Sequence, residues 1–227
     1  MAKERDKQTE AARGNGAAAA DGTVRDRILA AAFACFREKG FGRASTLDIA
    51  TRARVSKREL YSLFGSKQQM LIACISERTQ QRMRLPADWP APRDRKALEA
   101  CLYEFGCVMV REISDPNVIA VFRIAISEAD HSPEVARALN TYGRQQSFGA
   151  LREILAGAQA SGLLAGVDLD RFAGYFMSLL MGDVVMGLAL GLRKRPTAKE
   201  IEQRARGATQ ACLALAQGPV LKLPATP

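Results

Sequence analysis

Ser-Thr-Leu-Asp-Ile-Ala-Thr-Arg-Ala-Arg-Val-Ser-Lys-Arg-Glu-Leu-Tyr-Ser-Leu-Phe-Gly-Ser-Lys, residues 45 to 67, reads as two short helices joined by a tight corner and followed by the start of a third. Each helix opens with its own start signal. Ser45 stands three residues before Asp48, Ser56 three before Glu59, and Ser66 three before Gln69. A capping hydroxyl, with an acid or amide reaching back from the third helical position, satisfies backbone N–H groups that a helix end would otherwise orphan. Two helices this short cannot stand alone, because nucleation costs more than two turns return. They must pack at a fixed angle on something else. A short helix, a corner and a second short helix bearing basic and hydroxyl residues make the helix-turn-helix pattern.

The charge lies where that pattern lies. The chain carries a net +9 with a pI near 9.6. Residues 23–84 hold 13 Lys and Arg against five acidic residues, which leaves +8 of the excess there. Neutralising phosphates is the simplest physical use of such a local surplus. A charge run by itself is more often a solvated face that keeps a protein soluble. Here it coincides with the capped short helices, and the coincidence favours double-stranded DNA as a partner.

An apolar content of 48% is ample for a core. The five cysteines (Cys35, Cys74, Cys101, Cys107 and Cys212) are scattered, no Cys-x-x-Cys pair occurs, and His131 is the single histidine. That pattern speaks against structural zinc and a disulfide framework and for a reducing cytoplasm. No metal and no cofactor are expected. His131 between Asp130 and Ser132 does not make a triad, since sequence neighbours point apart, and no glycine-rich phosphate loop follows a strand. An enzyme is therefore not expected.

The periodicity predicts an all-α chain of nine helices. Val24, Ile28, Ala31, Ala32, Cys35 and Phe36 sit at helical spacing, and Gly40 ends that run. A fourth helix runs from Lys67 to about Arg84, and three prolines within 85–92 break the pattern. Further helices are expected from Arg95 to Ile113, from Asp115-Pro116, from Ser132-Pro133 to about Ala160, from Asp168 to Leu192, and from Thr197 until the pattern fades near Gly218-Pro219. The resulting division is a disordered arm (1–22), a helix-turn-helix domain with its linking helix (23–84), a proline-rich linker (85–94), a helical domain (95–217) and a flexible tail (218–227).

The residues of the first helical domain resemble the DNA-binding domain of the TetR family of bacterial transcriptional regulators. Ile28, Ala31, Ala32 and Phe36 match its first-helix core, and Gly40-Phe41 its helix end. Thr46, Ile49, Ala50, Val55, Ser56, Tyr61, Phe64 and Lys67 match its helix-turn-helix signature. Arg54 departs from the glycine usual at the corner, where a left-handed backbone would cost about 1 kcal/mol. Gly65 stands where proline is common. From about Phe122 to Leu213 the chain resembles the AefR-like regulatory domain of the same family. The resemblance implies a homodimeric, cytoplasmic, ligand-responsive repressor on a near-palindromic operator.

Candidate DNA contacts follow from residue chemistry. The hydroxyl and N–H groups at Thr46 can hold a phosphate. Ser56 and Lys57 begin the recognition helix, and Arg58 has the fork to read guanine. Tyr61 and Ser62 lie one turn on. Residues matching Tyr61 and Lys67 grip phosphates in the family. Glu59 reads as the reciprocal cap of Ser56, Leu60 and Phe64 as core, and Arg52 and Arg54 as phosphate neighbours.

In the second domain Phe105, Met109, Phe122, Ile126, Phe148, Phe176 and Met177 come from several helices. Singly each reads as core. Together, and given the resemblance, they are the expected lining of a pocket for a small apolar ligand. Gly174, Ser178 and Gly182 recur every fourth residue and form a smooth stripe, the expected dimer face with the last helix. Asp183 reads as a buried carboxylate that needs an arginine or backbone donor across the dimer, or a ligand. Residues 172–192 are long and apolar enough to span a bilayer, with Arg193-Lys194-Arg195 after them, so a membrane-anchored regulator is one alternative. Asp183 near the middle opposes it. A non-specific architectural DNA-binding protein is another, but it has no need of the apolar half.

Overall fold

The computed structural model describes residues 23–82 and 91–222. The expected arm and most of the proline-rich stretch lie outside the described residues. The chain divides into two compact units, Met1–Cys74 and Ile75–Pro227. The division falls inside a helix rather than at the prolines.

In the first unit, α1 (Val24–Lys39) starts with a full capping box. The Thr23 N–H donates to Asp26 Oδ2 at 2.9 Å and the Asp26 N–H donates to Thr23 Oγ1 at 3.2 Å. Helices α2 (Thr46–Ala53) and α3 (Lys57–Phe64) follow, then α4 (Lys67–Arg82). Ser45, Ser56 and Ser66 each accept from the backbone N–H three residues on, as their spacing predicts. The reciprocal half of the cap is formed neither at Ser45 nor at Ser56. Asp48 turns instead to Lys39, 2.9 Å away, and ties α2 to α1.

The corner between α2 and α3 is left-handed. Arg54 has φ 55° and ψ 49°, and among the described residues it is the one non-glycine with positive φ. Its strain is offset because the Val55 N–H reaches back to Ala50 O at 3.0 Å and closes the helix end. Ile28, Phe36, Ile49, Leu60, Met70 and Leu71 are fully buried around this corner. Each contributes about 1.5–3 kcal/mol by leaving water. That burial holds together helices too short to persist alone.

The second unit is built on α5 (Arg95–Ile113), which packs on α8 (Gln146–Ala160), α9 (Leu169–Met181) and α11 (Ala198–Leu215). A Cβ placed on Gly106 of α5 would lie 3.0 Å from the Ala205 Cβ of α11, so glycine sets the close approach of these helices. Helix α6 (Pro116–Ser127) also packs on α5, and α7 (Pro133–Leu139) and α10 (Val184–Ala189) pack on α6.

Two expected long helices are interrupted. Between α7 and α8 the backbone widens into a π-helical segment, Asn140–Gln145. The apolar run from Asp168 does not reach Leu192 as one helix. It stops at Gly182, whose φ 42° and ψ −123° suit only glycine, and restarts at Val184. By length and composition Leu169–Ala189 could cross a membrane, but its helix is broken in the middle.

Asp183 is also not the buried carboxylate expected. Its side chain is 74% exposed and bridges Arg193 at 3.0 Å and Arg204 at 3.3 Å in the same chain. The expected tail is ordered as far as it is described. Leu221 is fully buried in the short 3₁₀ turn Pro219–Leu221 and accepts from the Asp168 N–H at 2.7 Å.

Candidate nucleic-acid interface and effector cavity

Helix α3 has two faces. Leu60 and Phe64 turn inward, while Ser56, Lys57, Arg58, Tyr61 and Ser62 are exposed. Tyr61, 45% exposed, sets its hydroxyl 3.2 Å from Thr46 Oγ1, so α2 and α3 present two hydroxyls side by side. Either oxygen can be the donor, and the pair keeps one proton available for an acceptor outside the protein.

The basic residues divide by what holds them. Arg52 pairs with Glu38 at 3.0 Å and Lys39 with Asp48 at 2.9 Å. The Arg52 guanidinium holds the Glu38 carboxyl below its ordinary value, and Lys39 does the same to Asp48. Arg43 donates to Lys39 O. The side chains of Arg54, Lys57 and Arg58 make no hydrogen bond or ion pair with any described residue. The three form an uncommitted cationic run from the corner into the first turn of α3. The expectation of Arg52 as a phosphate neighbour meets a cation already engaged on α1.

Lys67 is engaged as well. Its Nζ donates to Phe41 O at 2.8 Å, Ala44 O at 3.2 Å and Gly42 O at 3.4 Å, and lies 4.4 Å from the Phe41 ring centroid. An ammonium has three protons, and the turn between α1 and α2 takes all three. The arrangement suits an internal clip that fixes where α2 begins, rather than the phosphate grip expected from the resemblance. Sequence could not reveal this, because the carbonyl acceptors are backbone groups more than twenty residues away.

The second unit holds a cavity of about 700 Å³. Its walls come from α5, α6, the π segment and the α9–α10 break, and Ile75 on α4 belongs to them. Met109, Phe122 and Ile126 line it, as expected. Phe105, Phe176 and Met177 do not. They are buried in the main core, where Phe105 and Phe176 pack at 6.2 Å between centroids. Phe148 packs against that core from outside and carries the Arg144 guanidinium 4.9 Å from its ring centroid. The pattern marked these side chains as apolar but could not say which side of a helix met a void.

Glu112, Asn117, Asn140, Arg144 and Ser147 are the polar residues of the lining, and none was singled out from sequence. The expected dimer stripe also separates. A Cβ on Gly174 would meet open space, and Ser178 is exposed with its hydroxyl turned back to Gly174 O at 2.8 Å. Gly182 instead lines the cavity, backed by Arg204, whose guanidinium lies 2.8 Å from where a Cβ would stand.

Known proteins share both units. Residues 28–74 match the family model described as bacterial regulatory proteins, tetR family, and residues 100–215 match the AefR-like transcriptional repressor, C-terminal domain. The HTH-type transcriptional regulator AqdR of Rhodococcus erythropolis is 30% identical over 111 residues, 49% of this chain. The chain spans about half the length of that curated relative. The solved flavonoid-responsive regulator FrrA is 27% identical with a TM-score of 0.70, covering 86% of this chain and 97% of its own. The fold also matches a transcriptional regulator FadR from Bacillus subtilis, solved in complex with stearoyl-CoA. That structure is 17% identical with a TM-score of 0.64, over 83% of this chain and 97% of its own.

Proposed function

The chain belongs to the TetR family of bacterial regulatory proteins, and from that premise we propose a homodimeric repressor that leaves its operator when a mainly apolar small molecule fills the cavity. The chain is a DNA-binding transcriptional regulator and not an enzyme. Thr46, Ser56, Lys57, Arg58, Tyr61 and Ser62 are the proposed DNA contacts, with Arg54 added as a phosphate neighbour. Lys67 is proposed to act through the turn it holds.

The observation that carries the reading is the cavity together with α4. One continuous helix bears Lys67 at its first residue and Ile75 in the cavity wall, eight residues or about 12 Å along the axis. Ligand binding in the second unit is proposed to be coupled to DNA binding by the first. Such coupling requires only a difference in affinity between two states. Flavonoid response in FrrA and stearoyl-CoA in FadR are properties of those proteins.

The test begins with selection of binding sites from a random duplex pool by the full chain. A near-palindromic consensus supports the reading, whereas enrichment without a consensus favours an architectural binder. Dimerisation is tested at the exposed face of α9, where Tyr175 and Leu179 are both more than 40% exposed. Leu179→Glu should give monomers by light scattering, and a variant that stays dimeric moves the interface elsewhere.

A further inference from the structure

The cavity is not uniformly apolar, and its polar groups differ in whether the protein already uses them. Glu112, Asn117 and Ser147 have partners within the chain, though the buried Glu112 Oε2 itself accepts no hydrogen bond. Ser147 Oγ donates to Gly143 O at 2.8 Å. The side chains of Asn140 and Arg144 make no hydrogen bond or ion pair with any described residue, and both residues line the cavity. Both also stand on the π segment, Asn140–Gln145. Positions four apart share a helix face, and the wider π turn keeps them there, so an amide and a guanidinium come to one rim. The Arg144 guanidinium is steadied by the Phe148 ring. Both residues are exposed, so the charge stays hydrated while the cavity is empty.

From this division we infer that the cavity takes an amphipathic organic anion. A single carboxylate, or an oxygen of similar acidity, sits at Asn140 and Arg144, and its apolar body lies against Met109, Ile113, Val121 and Ala125. The inference rests on the cavity being the effector site and adds the class of effector. A guanidinium gives two parallel donors to a carboxylate, and the asparagine amide adds a third beside them. An uncharged ligand of the same body would offer Arg144 at best a neutral acceptor, without the charge-assisted bidentate pair a carboxylate gives. A cationic one would meet the guanidinium directly.

The test uses the full chain and three probes with one hydrocarbon body, dodecanoate, dodecanol and dodecylamine, each below its micelle concentration. They compete against Nile red, a neutral dye that brightens in apolar surroundings. Dodecanoate should displace the dye at a concentration about tenfold below dodecanol, as charged hydrogen bonds imply, with dodecylamine weakest. Arg144→Ala should bring the dodecanoate-to-dodecanol ratio within about twofold of one, and Asn140→Ala should give an intermediate ratio. Arg137→Ala, an exposed arginine outside the lining, should keep the wild-type ratio. A wild-type ratio near one, a ratio that survives Arg144→Ala, or one that collapses equally with Arg137→Ala overturns the head-group assignment and leaves the cavity as a ligand site. If Nile red does not bind saturably at all, the effector-cavity reading fails, and this inference with it.

Discussion

The first unit is specified by neighbours in sequence, and the second by neighbours in space. In the first, three serines cap three helices at the spacing that predicts them, and the corner is closed within six residues. In the second, the long apolar runs looked uniform, yet one is broken at Gly182 and another swells into a π segment at Asn140. The contrast teaches where sequence reading is strong. Hydrogen bonds three to five residues apart leave a local signature. The fit of helix against helix, and the void where it fails, leave none.

The largest expected effect attacks the spatial side. Gly106→Leu places a side chain where the Ala205 Cβ lies 3.0 Å and Leu180 Cδ2 3.1 Å from a bare Cβ. Overpacking there should cost about 3 kcal/mol, read as a shifted midpoint in urea denaturation of the full chain.

The next tests a long-range device in the first unit. Lys67→Met removes three charge-assisted hydrogen bonds to the turn at 41–44 and should cost about 1.5–3 kcal/mol. Among molecules that remain folded, the salt slope of binding to a random duplex should stay that of the wild type. Lys57→Ala should instead lower the slope by about 0.9 while leaving stability near wild type. A Lys67→Met slope lowered by a full unit returns the residue to the phosphate.

A smaller gain is expected from the corner. Arg54→Gly relieves the left-handed strain and should stabilise the unit by about 1 kcal/mol. The same change removes a cation from the uncommitted run, so DNA affinity should fall even as stability rises. A variant that loses both would show that the arginine is needed for the corner itself.

The smallest effect is a titration. Lys39 holds the Asp48 carboxyl below its ordinary value, so the folded form is favoured at neutral pH and that contribution is lost as pH falls through the lowered value. In a carboxyl NMR titration the Asp48 midpoint should rise toward the ordinary value in Lys39→Met. If the midpoint does not move, the Lys39 pair is not what lowers it.

Much of the interface was legible in advance and much of the cavity was not. Thr46, Lys57, Arg58, Tyr61 and Ser62 were marked by residue type and position on a capped helix, and all but the half-buried Thr46 are exposed. Met109, Phe122 and Ile126 were found, but so were Phe105, Phe176 and Met177, which lie buried in the main core and not in the cavity wall. Asp183 was misread because its apolar neighbours suggested burial. The break at Gly182 instead exposes it to Arg193 and Arg204, and the Arg204 guanidinium also reaches Leu179 O and Leu180 O at 3.4 Å. Two of the most consequential polar residues, Asn140 and Arg144, had no motif. Their four-residue spacing on one helical turn, here a π turn, brings them to a shared rim.

That segment also acts as a phase shifter in the chain. A π turn holds about one residue more than an α turn, and each residue of an α-helix advances by about 100°. Deleting Thr141 would let α7 and α8 fuse into one regular helix. It would also rotate everything before the deletion by about a quarter turn relative to everything after it. Val135 and Ala138, now buried, would swing off their packing face relative to the helix that follows. One residue of length thus sets the angular register between the core-facing side of α7 and the cavity-facing side of the helix that follows.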